Sequence, residues 1–296
     1  MSTYTPISYT SGDGLALYAR DYAATASPGA APGPARLPVI CIHGLTRNSS
    51  DFDEVAPVIA ALGRRVIAVD VRGRGHSARD PNPANYSPMV YAGDIIKLMN
   101  DLGIARAVFI GTSMGGLITM TLAARRLDLI AAAIINDIGP VMSPRGLDRI
   151  AGYAGKSAAV ASWPEAASHV RDINLCAFPA NSDDEWDKWA RRAFEQRDDG
   201  LLSPRYDPNI AHALQTGKLP PTSLAARMAF RRLARRRPTL LVRGTLSDLV
   251  EPEQAVWMRK AAPELQYVEV PNVGHAPMLT EPEALDAIRA FLAQVP

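Results

Sequence analysis

The stretch "AVFIGTSMGGLITM" (residues 107–120) passes from an apolar β-type segment, through a serine fenced by glycines, into an apolar stretch of helical character. A strand-to-helix turn needs a glycine somewhere, but it does not need both Gly111, two residues before Ser113, and Gly115, two residues after. Small neighbours on both sides are what a serine on a sharp, strained turn requires, because the turn brings backbone close to backbone. The following helix lends its N-terminus, so the Met114 N–H is expected to face any negative charge that develops near Ser113. A serine hydroxyl is a weak nucleophile until a base takes its proton. The rest of the chain is therefore read for that base and for its supports.

Composition sets the frame. The 296 residues suffice for one large α/β domain with an insertion, and an apolar content of 47% supports a sizeable core. A formal net charge of +2 gives no reason to expect nucleic acid or an anionic membrane as partner. The two cysteines, Cys41 in an apolar run and Cys176 far from it, have neither metal-ligand spacing nor a disulfide pattern. No metal and no cofactor are expected. The N-terminal stretch lacks a basic segment followed by an apolar one, and no apolar run reaches membrane-spanning length, so a cytoplasmic setting is the expectation.

Working outward from the serine, strands and helices alternate. "TPISYT" and "GLALYARDY" read as a hairpin around Gly12-Asp13-Gly14, followed by an Ala-, Pro- and Gly-rich loop, "AATASPGAAPGPARLP". "PVICIHG", "RRVIAVDV", "AVFIG" and "IAAAIIN" are continuous apolar runs, as expected of parallel strands covered on both faces. The helix expected over 88–102 has Ser87 to cap it, Pro88 in its first position and Gly103 at its exit. From 139 to 237 the rhythm stops, and tryptophans, charges and helical periodicity take over. "TLLVRG" and "LQYVEV" then resume it. This predicts a mostly parallel, doubly wound sheet with a helical cap inserted between its sixth and seventh strands. The expected division is core at 1–138, cap at 139–237 and core again at 238–296.

Of the five histidines, His275 in "VPNVGHAPM" follows the last strand and lies at the same sheet edge as Ser113, which makes it the expected base. His43 is expected to support its own loop, and Asp70 and His76 to shape "DVRGRGHSARD". The base needs a carboxylate to hold its tautomer. Asp248 in "RGTLSDLVEP" is the first choice, and Asp137 after "IAAAIIN" is the alternative. A second N–H donor for an oxyanion is expected from "HGLTRNS", where Gly44 permits close approach and Leu45 presents its amide. Most aromatic residues of the insertion should pack the cap, while Met142, Trp163, Phe178 and Trp186 are candidates for a pocket wall. The basic run "FRRLARRRP" (230–238) is expected to be a solvated helix face.

Taken in order, "IHGL", "DVRGRGHS", "GTSMGG", "LVRGTLSDLVEP" and "VGHAP" make the chain resemble the cap-bearing α/β-hydrolase fold serine hydrolases, which include carboxylesterases, enol-lactonases and carbon–carbon bond hydrolases. The resemblance implies a Ser113–His275–Asp248 triad and an oxyanion hole from the Leu45 and Met114 amides. It also implies cleavage of carboxylic esters of small, mostly apolar substrates through an acyl-enzyme on Ser113. The alternatives are a lactonase or carbon–carbon hydrolase acting on ring-cleavage products, and a non-catalytic ligand receptor on the same fold. "HGLTRNS" lacks the extra glycines that the carbon–carbon hydrolases tend to carry. Relatives that use an aspartate at the turn, the haloalkane dehalogenases and epoxide hydrolases, are excluded by Ser113 itself. The partner expected is a small-molecule ester or lactone. The oligomeric state is not legible.

Overall fold

The structure is a computed structural model that describes residues 4–25, 36–156, 158–216 and 222–296. Much of the Ala/Pro/Gly-rich loop expected after the first hairpin lies outside the described residues.

Strands β1 (Thr5–Thr10) and β2 (Ala16–Tyr22) form the expected antiparallel hairpin. Then follow β3 (Val39–Ile42), α1 (Val55–Ala60), β4 (Val66–Asp70), α2 (Pro88–Asp101), β5 (Ala107–Thr112), α3 (Met114–Arg126) and β6 (Ile130–Asn136). Between β6 and the next core strand lie α4 (Pro144–Tyr153), α5 (Trp163–Asn174), α6 (Asp183–Ala193), a small hairpin of β7 (Phe194–Gln196) and β8 (Leu202–Pro204), and α7 (His212–Gln215). The chain closes with α8 (Leu224–Arg236), β9 (Thr239–Gly244), α9 (Pro252–Ala261), β10 (Gln266–Val270) and α10 (Pro282–Gln294).

The main sheet has eight strands in the order β1-β2-β4-β3-β5-β6-β9-β10, antiparallel at β1–β2 and β2–β4 and parallel elsewhere. Alternation along each strand builds two cores. Val39, Cys41, Val108, Ile110 and Ile134 pack beneath α1 and α10, whereas Ile40, Ile42, Phe109 and Ile135 pack beneath α2, α3, α8 and α9. This two-sided cover is why the parallel strands read as unbroken apolar runs. Punctuation of α2 follows its sequence: the Ser87 side chain accepts from the Val90 N–H, Pro88 opens the helix, and Gly103 takes a positive φ of 64°.

Helices α5 and α6 and the small hairpin keep a core of their own, in which Trp186 stacks on Trp189 at 5.7 Å and Phe178 meets Trp189 edge-on at 5.1 Å, while Ile150 and Ala154 at the end of α4 join the main core. The last helix of the 139–237 span behaves differently. Phe230 and Leu233 of α8 join the main core, so this helix belongs to the layer that covers the sheet. Its basic run is not simply solvated. Arg232 donates to the Ala123 carbonyl, Arg235 to Ala261, and Arg237 to Ile130 and Leu127. Arginines placed there satisfy carbonyls that helix ends and turns leave open.

The elbow is the tightest junction of the fold. A Cβ on Gly115 would lie 2.1 Å from the Ile42 carbonyl oxygen, and one on Gly111 would lie 2.5 Å from the Gly115 backbone. Helix α3 therefore leaves β5 with its first turn pressed against the end of β3, a contact that only glycine allows. Gly115→Ala is expected to lower stability in urea unfolding by about 1–3 kcal/mol. Gly93→Ala, in α2 with open space around it, should be neutral or slightly stabilising. Equal stability of the two variants would contradict the close approach.

Candidate active site

The loops after β3, β4, β5, β6, β9 and β10 meet at the carboxyl end of the sheet, the usual place for a ligand crevice in an open α/β fold. Ser113 sits between β5 and α3 with φ 52° and ψ −115°, outside the regions that ordinary side chains favour. That strain lifts its hydroxyl out of the turn. Its Oγ lies 2.8 Å from His275 Nε2, and His275 Nδ1 lies 2.8 Å from Asp137 Oδ2. A carboxylate only accepts, so Nδ1 carries the proton and Nε2 is left to accept the Ser113 proton.

The carboxylate on His275 is Asp137, the alternative, and not Asp248, the first choice. In the parallel register Thr112 pairs with Asn136, so Asp137 emerges next to Ser113 at the ends of adjacent strands. Its side chain is fully buried and accepts from the Gly244 N–H at 3.1 Å and the Ser247 hydroxyl at 2.6 Å as well as from His275. The loop after β9 thus turns donors, rather than its own carboxylate, toward the imidazole. Asp248 instead receives two hydrogen bonds from Arg149 of α4, at 2.5 and 2.9 Å. Burial pushes the Asp248 carboxyl up, but the Arg149 guanidinium outweighs this and holds it below its ordinary value.

The loop after β3 lies against the serine. A Cβ on Gly44 would be 3.7 Å from the Ser113 Cβ. His43 is fully buried, with Nε2 accepting from the Val71 N–H at 3.1 Å and Nδ1 donating to the Gly44 carbonyl at 2.7 Å. That carbonyl belongs to the same peptide plane as the Leu45 N–H, so the ring sets which way this amide faces. Arg74 holds the next plane through the Leu45 carbonyl, at 3.0 Å. The Leu45 N–H has no acceptor among the described residues, and Met114, as the first residue of α3, carries an N–H without an intrahelical partner. Asp70 accepts from the Ser49 and His76 amides at 2.6 and 2.8 Å, which ties the loops after β3 and β4 together.

The cleft has walls that aromatic content alone did not locate. Met142 lines it beside Ser113 and Met114. Trp163, Phe178 and Trp186 do not: they pack the core of the inserted elements, because that small core needs its largest side chains. Trp189, one helical turn from Trp186, packs in that core and also lines the cleft, with the Arg47 guanidinium 4.2 Å from its ring centre. Arg47, Asp51, His169 and Asn174 also line the cleft. For His169 and Asn174 the sequence signal was helical phase relative to an unknown orientation of the inserted helices, whereas Arg47 and Asp51 come from the segment between β3 and α1. Among the described residues no group of acidic, histidine or cysteine side chains is placed to hold a metal ion.

Asp137→Asn is expected to lower kcat by about four orders of magnitude, since the wrong tautomer would then be favoured. Asp248→Asn should change kcat by less than about tenfold, because its partner is Arg149. Comparable losses in the two variants, measured on one substrate, would return the role to Asp248.

Burial pushes the His43 ring down to about 3 from its ordinary 6.5. Between these values the unfolded chain binds a proton that the folded chain does not, so this contribution to stability is complete above about 6.5 and is lost as pH falls toward 3. Urea midpoints measured across that range should fall with acidification, and His43→Asn should flatten part of the slope. An unchanged slope would assign the acid sensitivity to other groups.

With the geometry in view, the comparisons with known proteins are direct. The model of the α/β hydrolase fold family matches residues 38–282. The chain is 33% identical over 250 residues to a 3-hydroxybutyrate-oligomer hydrolase of Cupriavidus necator, covering 82% of this chain and 84% of that one. It is 29% identical over 280 residues to an sn-1-specific diacylglycerol lipase of Mus musculus, covering 88% of this chain and 83% of the relative. A solved α/β hydrolase from Novosphingobium aromaticivorans superposes with a TM-score of 0.89 at 37% identity, covering 99% of both chains. The chain belongs to the α/β hydrolase fold family, and it is a hydrolase.

Proposed function

We infer that this hydrolase cleaves carboxylic esters of small, mostly apolar substrates through an acyl-enzyme on Ser113. The observation that carries the reading is the unbroken chain from the Ser113 Oγ through His275 to Asp137, with both links at 2.8 Å. It sits beside two amides that an oxyanion would satisfy.

In this reading His275 takes the Ser113 proton as Oγ attacks the ester carbonyl. Asp137, its carboxylate fixed by three donors, stabilises the imidazolium that results. The negative charge moves to the carbonyl oxygen, where the Leu45 and Met114 N–H groups meet it. One such donor is worth about 3–4 kcal/mol in the transition state, so the His43 and Arg74 contacts that hold the Leu45 peptide matter to the rate. His275 then gives its proton to the leaving alcohol, and water repeats the sequence on the acyl-enzyme. The names of the two relatives above, an oligomer hydrolase and a diacylglycerol lipase, fit ester cleavage. A lactone would open by the same steps.

The test is a panel of short p-nitrophenyl esters, alkyl esters, lactones and vinylogous diketones, with Ser113→Ala as control. Turnover of open-chain esters is expected, falling by about 10⁴-fold or more in Ser113→Ala. A fluorophosphonate should label one serine stoichiometrically and abolish turnover. Labelling without turnover of any ester would point to a receptor. Efficient cleavage of the diketones with poor activity on esters would point to carbon–carbon hydrolysis.

A further inference from the structure

The space around Ser113 is divided into two lobes of unlike chemistry. One is bordered by His275 and is mixed, setting Arg47, Asp51, His169 and Asn174 among apolar side chains such as Ile173 and Phe194. The other is bordered by Met114 and walled by Leu117, Ile138, Met142, Leu147 and Leu249. Ser113 and Leu45 line both, whereas His275 borders the first and not the second.

Two tyrosines also face the apolar lobe, but their hydroxyls are already engaged. Tyr86 donates to Asp207 at 2.6 Å and accepts from the Asp80 N–H at 2.8 Å, and the Tyr91 hydroxyl accepts from Arg74 at 2.9 Å. A polar group entering this lobe would lose its water and gain little in return. In the other lobe, Arg47 is bound through Nε and an Nη to Asp51 at 2.7–3.0 Å, so the pair adds no net charge while keeping polar atoms at the wall.

Ester hydrolysis assigns these lobes, and the assignment rests on the reading of the previous subsection. The Ser113 Oγ–acyl carbon bond forms, the acyl carbon–alkoxy oxygen bond breaks, and the serine proton passes through His275 Nε2 to that alkoxy oxygen. One nitrogen must reach both oxygens, so the leaving alcohol lies on the His275 side. With the oxyanion directed at the Leu45 and Met114 amides, the acyl chain is left to run away from His275, toward Met114. We propose that the apolar lobe holds the acyl chain and the mixed lobe holds the alcohol. The preferred substrate is then an ester joining an apolar acyl group to an uncharged, hydrogen-bonding alcohol. An anionic alcohol is disfavoured because it would have to approach Asp51 and compete with it for Arg47.

Two matched ester series test this by kcat/KM. In the first, diethylene glycol is the alcohol and the acyl group runs from acetyl to decanoyl. In the second, butanoyl is the acyl group and the alcohol is n-butanol, diethylene glycol or 3-hydroxybutanoate. The wild-type protein is expected to favour the glycol ester by about tenfold or more over both others. Met142→Trp, or Leu147→Phe should the first variant fail to fold, is expected to shift the acyl optimum by two or more carbons toward shorter chains, at about tenfold per excluded methylene. The ranking of alcohols should persist in that variant. Asn174→Leu should narrow the alcohol ranking and leave the acyl optimum in place.

If Met142→Trp reorders the alcohols and Asn174→Leu moves the acyl optimum, the lobes are reversed. If the 3-hydroxybutanoate ester is preferred, the alcohol site is anion-selective and the proposal is wrong. Failure to turn over any ester in either series would instead overturn the ester hydrolase reading, and this assignment with it.

Discussion

The hydrogen bond from the Ser113 N–H to the Asn136 carbonyl, at 2.9 Å, continues the β5–β6 ladder one step past the strand and fixes what the site can be. It holds the elbow in line with the parallel register, so that Ser113 and Asp137 leave neighbouring strands at the same level. Both residues take positive φ, 52° and 53°, and both side chains are thereby turned toward the gap that His275 fills. Strain of this kind persists only where surroundings over-determine it. Here these are the glycine contacts beneath α3 on one side and the β9 loop donors on the other.

A second layer keeps the neighbouring loops in place. The Asn136 side chain donates to the Pro277 carbonyl at 2.7 Å, which ties the His275 loop to the end of β6. Buried His43 and Arg74 grip successive peptide planes at Leu45, and Asp70 bridges the loops after β3 and β4. None of these groups itself lines the cleft, so they act by direction. Desolvation favours the neutral His43 ring, and a neutral ring can accept from Val71 while donating to Gly44. The inserted elements are anchored by similar means. Arg149 of α4 meets Asp248, and a Cβ on Gly146 would come 2.6 Å from the Asp248 carbonyl, so α4 lies directly on the loop after β9.

This anchoring explains why the structure brings one of the expected residues, His275, to Ser113 and keeps another, Asp248, away from it. His275 was legible because one histidine follows the last strand, and strand ends share an edge. The acid was not, because two adjacent strands each end near an aspartate. The choice between them depends on the β5–β6 register and on Arg149, which is distant in the chain and comes from an inserted helix. Likewise, the tryptophans of α6 advertised a buried face without saying which neighbour would bury it. Both pack the interior of the inserted elements, but only Trp189 also reaches the cleft. For α8 the periodicity was correct, but its membership in the sheet-covering layer follows from Phe230 and Leu233 meeting the main core.

What the sequence determined alone are the features written in local pattern: alternating apolar runs that must be covered on both faces, caps and glycines that begin and end helices, and a serine between glycines at a strand-to-helix turn. Each depends on neighbours a few residues away, and local sterics and burial suffice to specify it. What the tertiary structure decided are the pairings across long separations. These include which carboxylate meets His275, which aromatic ring faces the cleft, and how two unlike lobes divide at Ser113. Such pairings turn on register, loop direction and competition for partners among groups that fold together only once the sheet has closed.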